Sequence, residues 1–167
     1  IKKVDVISAE EMYNACLKNS KQSDIIIMAA AVSDFKPIKK GKEKIKKENA
    51  VDEIKLTPTK DILLELGKNK NGSLLVGFAL ETENEIQNAK KKLHNKCLDF
   101  IVLNSPSGKT GFTHDTNKIT IISPSPSLPQ VKRDKDKVQI KKYELMEKRE
   151  CAKIIVEEII NQMKNVK

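Results

Sequence analysis

The sequence predicts an α/β fold built on a mostly parallel sheet, with helices on both faces and antiparallel additions toward the C-terminus. Two observations carry this. Short, strongly apolar runs at residues 25–32, 74–80 and 99–103 are separated by amphipathic, well-capped segments. After residue 104 the pattern changes to shorter strands joined by Pro- and Gly-containing turns.

The elements follow in order. Residues 2–7 alternate polar and apolar side chains and read as a short strand. Ser8-Ala9-Glu10-Glu11 is a capping box, and Met12, Ala15 and Cys16 fall on one face of the helix it starts, which stops near Asn19. Residues 25–32 begin with three isoleucines and suggest a strand buried on both faces. Residues 36–47 contain seven lysines, with Pro37 and Gly41, and read as a mobile basic loop. A short strand is expected at residues 54–56. Thr57-Pro58 places a proline at a plausible helix start, and a helix over residues 61–66 would stop at Gly67. A buried strand follows at residues 74–80. A second capping box, Thr82 to Glu85, would open a helix with Ile86, Ala89 and Leu93 inward. Residues 99–103 form the third central strand, and residues 104–116 a loop. Strands are expected at residues 117–122 and 138–145, the latter suited to an edge because two lysines follow Ile140. Residues 123–130, with three prolines, connect them. The closing helix, residues 148–164, would bury Ala152, Ile155, Val156, Ile159 and Met163.

Composition narrows the function classes. The 167 residues carry 32 Lys+Arg against 23 Asp+Glu, a net charge of +9. The longest apolar run has eight residues, far short of the roughly 20 a membrane helix needs. Three scattered cysteines and two histidines argue against a disulfide scaffold or a zinc ribbon and suit a reducing cytoplasm. Lysines without interleaved aromatics argue against a single-strand nucleic-acid platform. Gly108-Lys109-Thr110 looks like the end of a phosphate loop, but residue 103 is Leu where that motif needs Gly.

In a parallel sheet, ligands bind beyond the carboxyl ends of the strands. Residues 29–34, 78–82 and 104–107 would lie there. The lysine run around Lys44-Ile45-Lys46-Lys47 would offset the charge of a polyphosphate, if it is more than a solvated face. Lys92 and Lys96 sit four residues apart on one helix face, a second cationic pair or simply a favourable helix end. Asp34 follows a buried strand and is a ligand contact or a turn former. Phe78 is core or a stacking surface. No cysteine shows an activating neighbourhood.

Several segments together resemble phosphopantothenate–cysteine ligase of the bacterial, CTP-dependent type. They are Ala29-Ala30-Ala31-Val32-Ser33-Asp34-Phe35-Lys36-Pro37, Glu43-Lys44-Ile45-Lys46-Lys47, Asp61-Ile62-Leu63 and Leu75-Val76-Gly77-Phe78-Ala79-Leu80-Glu81-Thr82. Ala89, Lys92, Leu93, Lys96, Asp99, Asn104, Gly111-Phe112 and Asp115-Thr116-Asn117 continue the likeness. The resemblance implies a Rossmann-like ligase domain over residues 1–167. It implies a reaction in which CTP, with Mg2+, activates 4′-phosphopantothenate as an acyl-cytidylate and L-cysteine displaces CMP. It assigns catalysis to Lys44, on a closing flap, and to Ala31, and nucleotide binding to Met28, Ala29, Ala30, Asp34, Lys44, Lys60, Asp61, Ile62, Leu63, Phe78, Lys92 and Lys96. At position 60 the family pattern often has Pro. It also implies a homodimer, in some cases fused to a phosphopantothenoylcysteine decarboxylase, with no nucleic acid or membrane partner. The family's earlier segment, I-[SN]-N-x-S-S-G-K-M-G, has no match here, so the domain is expected to lack its first strand and helix and to form no acyl-cytidylate alone. Other readings of the same residues are a dinucleotide-dependent oxidoreductase, a basic nucleic-acid-binding domain, and an inert basic domain.

Overall fold

The computed structural model describes residues 1–38, 53–105, 114–125 and 137–164. A five-stranded sheet in the order β1-β4-β5-β7-β8 organises them, where β1 is Ile25–Met28, β4 Leu74–Leu80, β5 Phe100–Asn104, β7 Ile119–Pro124 and β8 Val138–Lys142. β1, β4 and β5 run parallel, and β7 and β8 add on as antiparallel neighbours. Two small antiparallel pairs accompany the sheet: β2 (Phe35–Pro37) with β3 (Leu56–Pro58), and β6 (Thr116–Asn117) with β9 (Met146–Glu147). The predicted α/β class, its parallel core and its antiparallel additions are all present.

The alternation of side chains along each strand divides the core in two. Leu75, Ala79, Ile101, Leu103 and Ile122 face α1 (Ala9–Ser20), α2 (Ile62–Lys68) and α3 (Glu85–Asn95), meeting Ile62, Leu66, Ala89 and Leu93. Leu74, Val76, Phe100, Val102, Ile119 and Ile121 face α4 (Lys148–Lys164) through Cys151, Ile155 and Ile159. Fully buried side chains such as Leu75 and Phe100 each contribute about 1.5–3 kcal/mol.

Local chemistry sets the helix ends. Ser8 accepts from the Glu11 N–H while the Glu11 carboxylate accepts from the Ser8 N–H, the expected capping box. α3 ends as a Schellman motif. The Leu98 N–H donates to the Leu93 carbonyl, the Cys97 N–H donates to the His94 carbonyl, and Cys97 takes the left-handed conformation at φ 52°.

Several expectations are corrected. Residues 2–7 carry no strand and are exposed. β1 is four residues long and only half covered, because it is the edge of the sheet, so Ile25 and Ile27 are exposed. Lys36 and Pro37, expected in a loop, belong with Phe35 to a strand that pairs with Leu56–Pro58, so Pro58 lies in a strand rather than at a helix start, and α2 follows its N-cap Asp61, close to the expected start. Gly67 lies within α2 rather than ending it. A Cβ there would sit 1.9 Å from the Lys96 carbonyl oxygen, so the glycine serves close helix packing. α3 has no side-chain cap, since Asn84 is left-handed at its start. On α4, Ala152, Val156 and Met163 are exposed, because Glu158, also buried, turns the helix toward β8 through Lys141. The lysine-rich residues 39–52, including Lys44, lie outside the described residues, as do 106–113 and 126–136.

Candidate functional site

The three parallel strands end on one edge, and a cavity of about 620 Å³ opens there. Met28 and residues 29–34 leave β1 along one wall, residues 78–80 end β4 on another, and Asn104 ends β5. Thr59 to Leu63 close it from the start of α2, and Lys92 and Lys96 reach in from α3. Every residue the sequence reading assigned to the site lines this cavity except Lys44, which lies outside the described residues.

The turn after β1 is tied down. The Thr59 N–H donates to the Asp34 carbonyl at 2.8 Å, and its hydroxyl donates to the Ser33 carbonyl at 2.6 Å. The three alanines before it bring backbone to the cavity without side-chain bulk. Met28, Val32, Leu63 and Phe78 supply apolar wall, and Phe78 also packs against the α4 side of the core.

The cationic end centres on Asp61. Its carboxylate caps α2 by accepting from the Leu64 N–H at 3.0 Å, and both its oxygens take the Lys96 ammonium, at 3.1 and 2.9 Å. Partial burial alone would raise the Asp61 carboxyl. The Leu64 N–H and the two lysines outweigh it and hold the group below the ordinary aspartate range. Lys92 lies one turn before Lys96, and its ammonium makes no hydrogen bond or ion pair with any described residue. Lys60 sits at the rim with its ammonium 4.5 Å from the centre of the Tyr13 ring. Chemically, this is a pocket with an apolar wall and surplus positive charge at one end. It suits a ligand that joins a flat ring to a phosphate.

Sequence reasoning placed Val32, Ser33 and Asn104 at this edge without assigning them a role, and missed Thr59, Asn117 and Lys148 as lining residues. Asn117 donates to the Asn104 side chain at 3.1 Å, which fixes two amides at the cavity. Asn104 ends β5 at the edge where the strand-end rule puts residues 104–107. Among the described residues no group of three or more His, Cys, Asp or Glu side chains could hold a metal ion.

Residues 1–163 match the model of a family described as the DNA/pantothenate metabolism flavoprotein C-terminal domain. The chain belongs to that family. It is 46% identical over 159 residues to a cysteine/cysteine sulfinic acid decarboxylase from an unspecified prokaryote, covering 94% of this chain and 41% of that protein. It is 44% identical over 119 residues to the coenzyme A biosynthesis bifunctional protein CoaBC of Bacillus subtilis (strain 168), covering 71% of this chain and 29% of that one. The chain thus spans less than half the length of these relatives. A crystal structure of the C-terminal domain of a coenzyme A biosynthesis bifunctional protein CoaBC superposes with a TM-score of 0.71 at 30% identity, over 97% of this chain and 66% of that one. The DNA/pantothenate metabolism flavoprotein from Streptococcus pneumoniae gives 0.70 at 16% identity, over 95% and 72%, and speaks to the fold alone.

These names correct the ligase resemblance. The family is described by a flavoprotein and the 46% relative is named a decarboxylase. The expected amide-forming ligase, with CTP and Mg2+ as cofactors and 4′-phosphopantothenate and L-cysteine as substrates, therefore does not carry over to this family member. The coenzyme A context does agree with the relatives' names. The physical reason is visible in the cavity. Only part of what carried the resemblance lines the pocket, namely residues 29–34, 61–63 and 78–80 with Lys92, Lys96, Asn104 and Asn117, so it describes a cavity wall and leaves the reaction open.

Proposed function

We infer that the cavity binds a phosphorylated, ring-bearing cofactor of nucleotide type, and that the chain is the cofactor-binding part of a longer protein of pantothenate and coenzyme A metabolism. A flavin nucleotide is the kind of group the family description names. The observation that carries the reading is the cluster of Lys60, Lys92 and Lys96 at an apolar-walled cavity on the carboxyl edge of a parallel sheet. The residues present fit such a group: ammoniums for the phosphate, Met28, Val32, Leu63 and Phe78 for a ring, and Asn104 and Asn117 for its polar edge. A bound flavin would supply two-electron redox chemistry.

The chain's own residues bind and orient. Lys92 offers an uncommitted ammonium, and Asp61 holds Lys96 in place before a ligand arrives, which reduces the ordering cost of binding. Residues 29–34, pinned by Thr59, keep the backbone wall rigid. Decarboxylation of a cysteine-derived carboxylate, as in the name of the 46% relative, is the activity to assay in the longer protein. The three unbridged cysteines suit the reducing cytoplasm, where we place it.

Equilibrium dialysis against FMN, riboflavin and AMP tests the reading. Saturable binding of a phosphorylated nucleotide is expected, weakened about tenfold when Lys92 and Lys96 are both changed to Met, as for two partly shielded charge contacts. Binding of AMP without FMN would keep the nucleotide site and remove the flavin. Binding of neither would overturn the reading.

A further inference from the structure

We propose that Lys60 makes the cavity selective for phosphorylated over unphosphorylated ligands, and that Tyr13 and Glu10 on α1 are positioning residues that hold it there. The proposal deepens the nucleotide reading above and rests on it. α1 contributes no lining residue to the cavity, yet its first two turns reach the rim. The Lys60 ammonium lies over the Tyr13 ring, 4.5 Å from its centre, and 3.7 Å from one Glu10 oxygen.

The two contacts differ in what they leave available. An aromatic face attracts an ammonium without using its hydrogen-bond donors. Glu10 is the natural competitor for the charge, but its other oxygen is committed to Lys36 at 2.8 Å. The Lys36 hydrogen bond is also the main reason the Glu10 carboxyl is held below the ordinary glutamate range, with Lys60 a lesser contributor. Lys60 is therefore restrained in direction while its donors remain open to a further acceptor. Because it lines the cavity beside Asp61, and Asp61 is occupied by Lys96, an anionic group in the cavity is an acceptor it can meet without displacing an existing partner.

Glu10 extends the restraint. Through Lys36 it fastens β2, and through Lys60 the residues just after β3, so one carboxylate links α1 to both strands of the small ribbon. Three features that local sequence treats separately, a capping-box helix, a ribbon and a lysine before an N-cap, meet at this point.

The test is a ratio measured within each variant. Affinities for FMN against riboflavin, and for AMP against adenosine, are measured for the unaltered chain and for Lys60→Met, Lys60→Arg, Tyr13→Leu and Tyr13→Phe. Lys60→Met is expected to reduce the preference for the phosphorylated member about two- to fivefold, the scale of a partly exposed charge pair, with binding of riboflavin or adenosine unchanged. Lys60→Arg and Tyr13→Phe should keep the preference. Tyr13→Leu should lower it, and the Tyr13→Leu, Lys60→Met double variant should lose no more than Lys60→Met alone. General damage to the fold would weaken both members of a pair together, which would overturn the proposal. A preference retained by Lys60→Met would overturn it while leaving the cofactor reading intact. No preference for phosphate in the unaltered chain would overturn both.

Discussion

Gly67 and Asp61 show how single positions set the cavity. Gly67 lets the end of α3 approach α2, because a methyl group there would overlap the Lys96 carbonyl at 1.9 Å. Gly67→Ala should cost about 2–3 kcal/mol in urea unfolding, since backbone on both sides must move. Asp61 both caps α2 and holds Lys96. Asp61→Asn keeps an acceptor for the Leu64 N–H and removes the charge. The folded carboxyl sits below its unfolded value, so its stabilising effect is complete above about pH 4 and is lost as pH falls through the folded value. The stability difference between the native chain and Asp61→Asn should therefore shrink in urea titrations below about pH 4. The cavity lining was partly legible at this scale: the alanines, Asp34 and Phe78 lie where the strand-end rule puts them, and Lys92 and Lys96, paired by helix spacing, line the same cavity. Tyr13 and Glu10 were not legible as site residues, because nothing local links an N-terminal helix to a lysine about fifty positions away.

Elements were readable where local chemistry decides them and misread where neighbours do. The Ser8 box, β4 and the span of α4 follow from capping, unbroken apolar runs and helical periodicity. β1 has the same composition as a central strand, yet its burial depends on having a neighbour on each side, which a run of isoleucines cannot reveal. The inward face of α4 was misjudged for a related reason. Apolar side chains spread around more than half of that helix, and a polar contact chooses the orientation. Lys141 on β8 donates to Glu158 at 2.6 Å, and Gln162 donates to its other oxygen at 3.1 Å. Lys141→Ala leaves the Glu158 carboxylate buried with only the amide, and should cost about 2 kcal/mol in thermal or urea unfolding. Replacing both partners, Lys141→Met with Glu158→Leu, should recover most of that loss.

At the scale of the molecule, the two halves of the sheet are built differently. β4 and β5 are each reached through a crossover helix and pair parallel, whereas β7 and β8 pair antiparallel with their neighbours, so the parallel half depends on contacts distant in sequence. Its outermost strand is β1. Ile25 and Ile27 are exposed there, and on the side of α4 away from β8 so are Val156, Ile160 and Met163. The preparative behaviour of the 167-residue chain follows from this uncovered margin. A bare strand border and exposed apolar side chains invite copies to stick, while a net charge of +9 pushes them apart. Sodium chloride shields the repulsion and spares the stickiness, so sedimentation coefficients should climb between 0.05 and 0.5 M salt, values set by a Debye length that shrinks from about 14 to about 4 Å. Ile27→Lys together with Val156→Lys should hold the chain monomeric across that range, and unchanged sedimentation of the unaltered chain would show that the margin is inert.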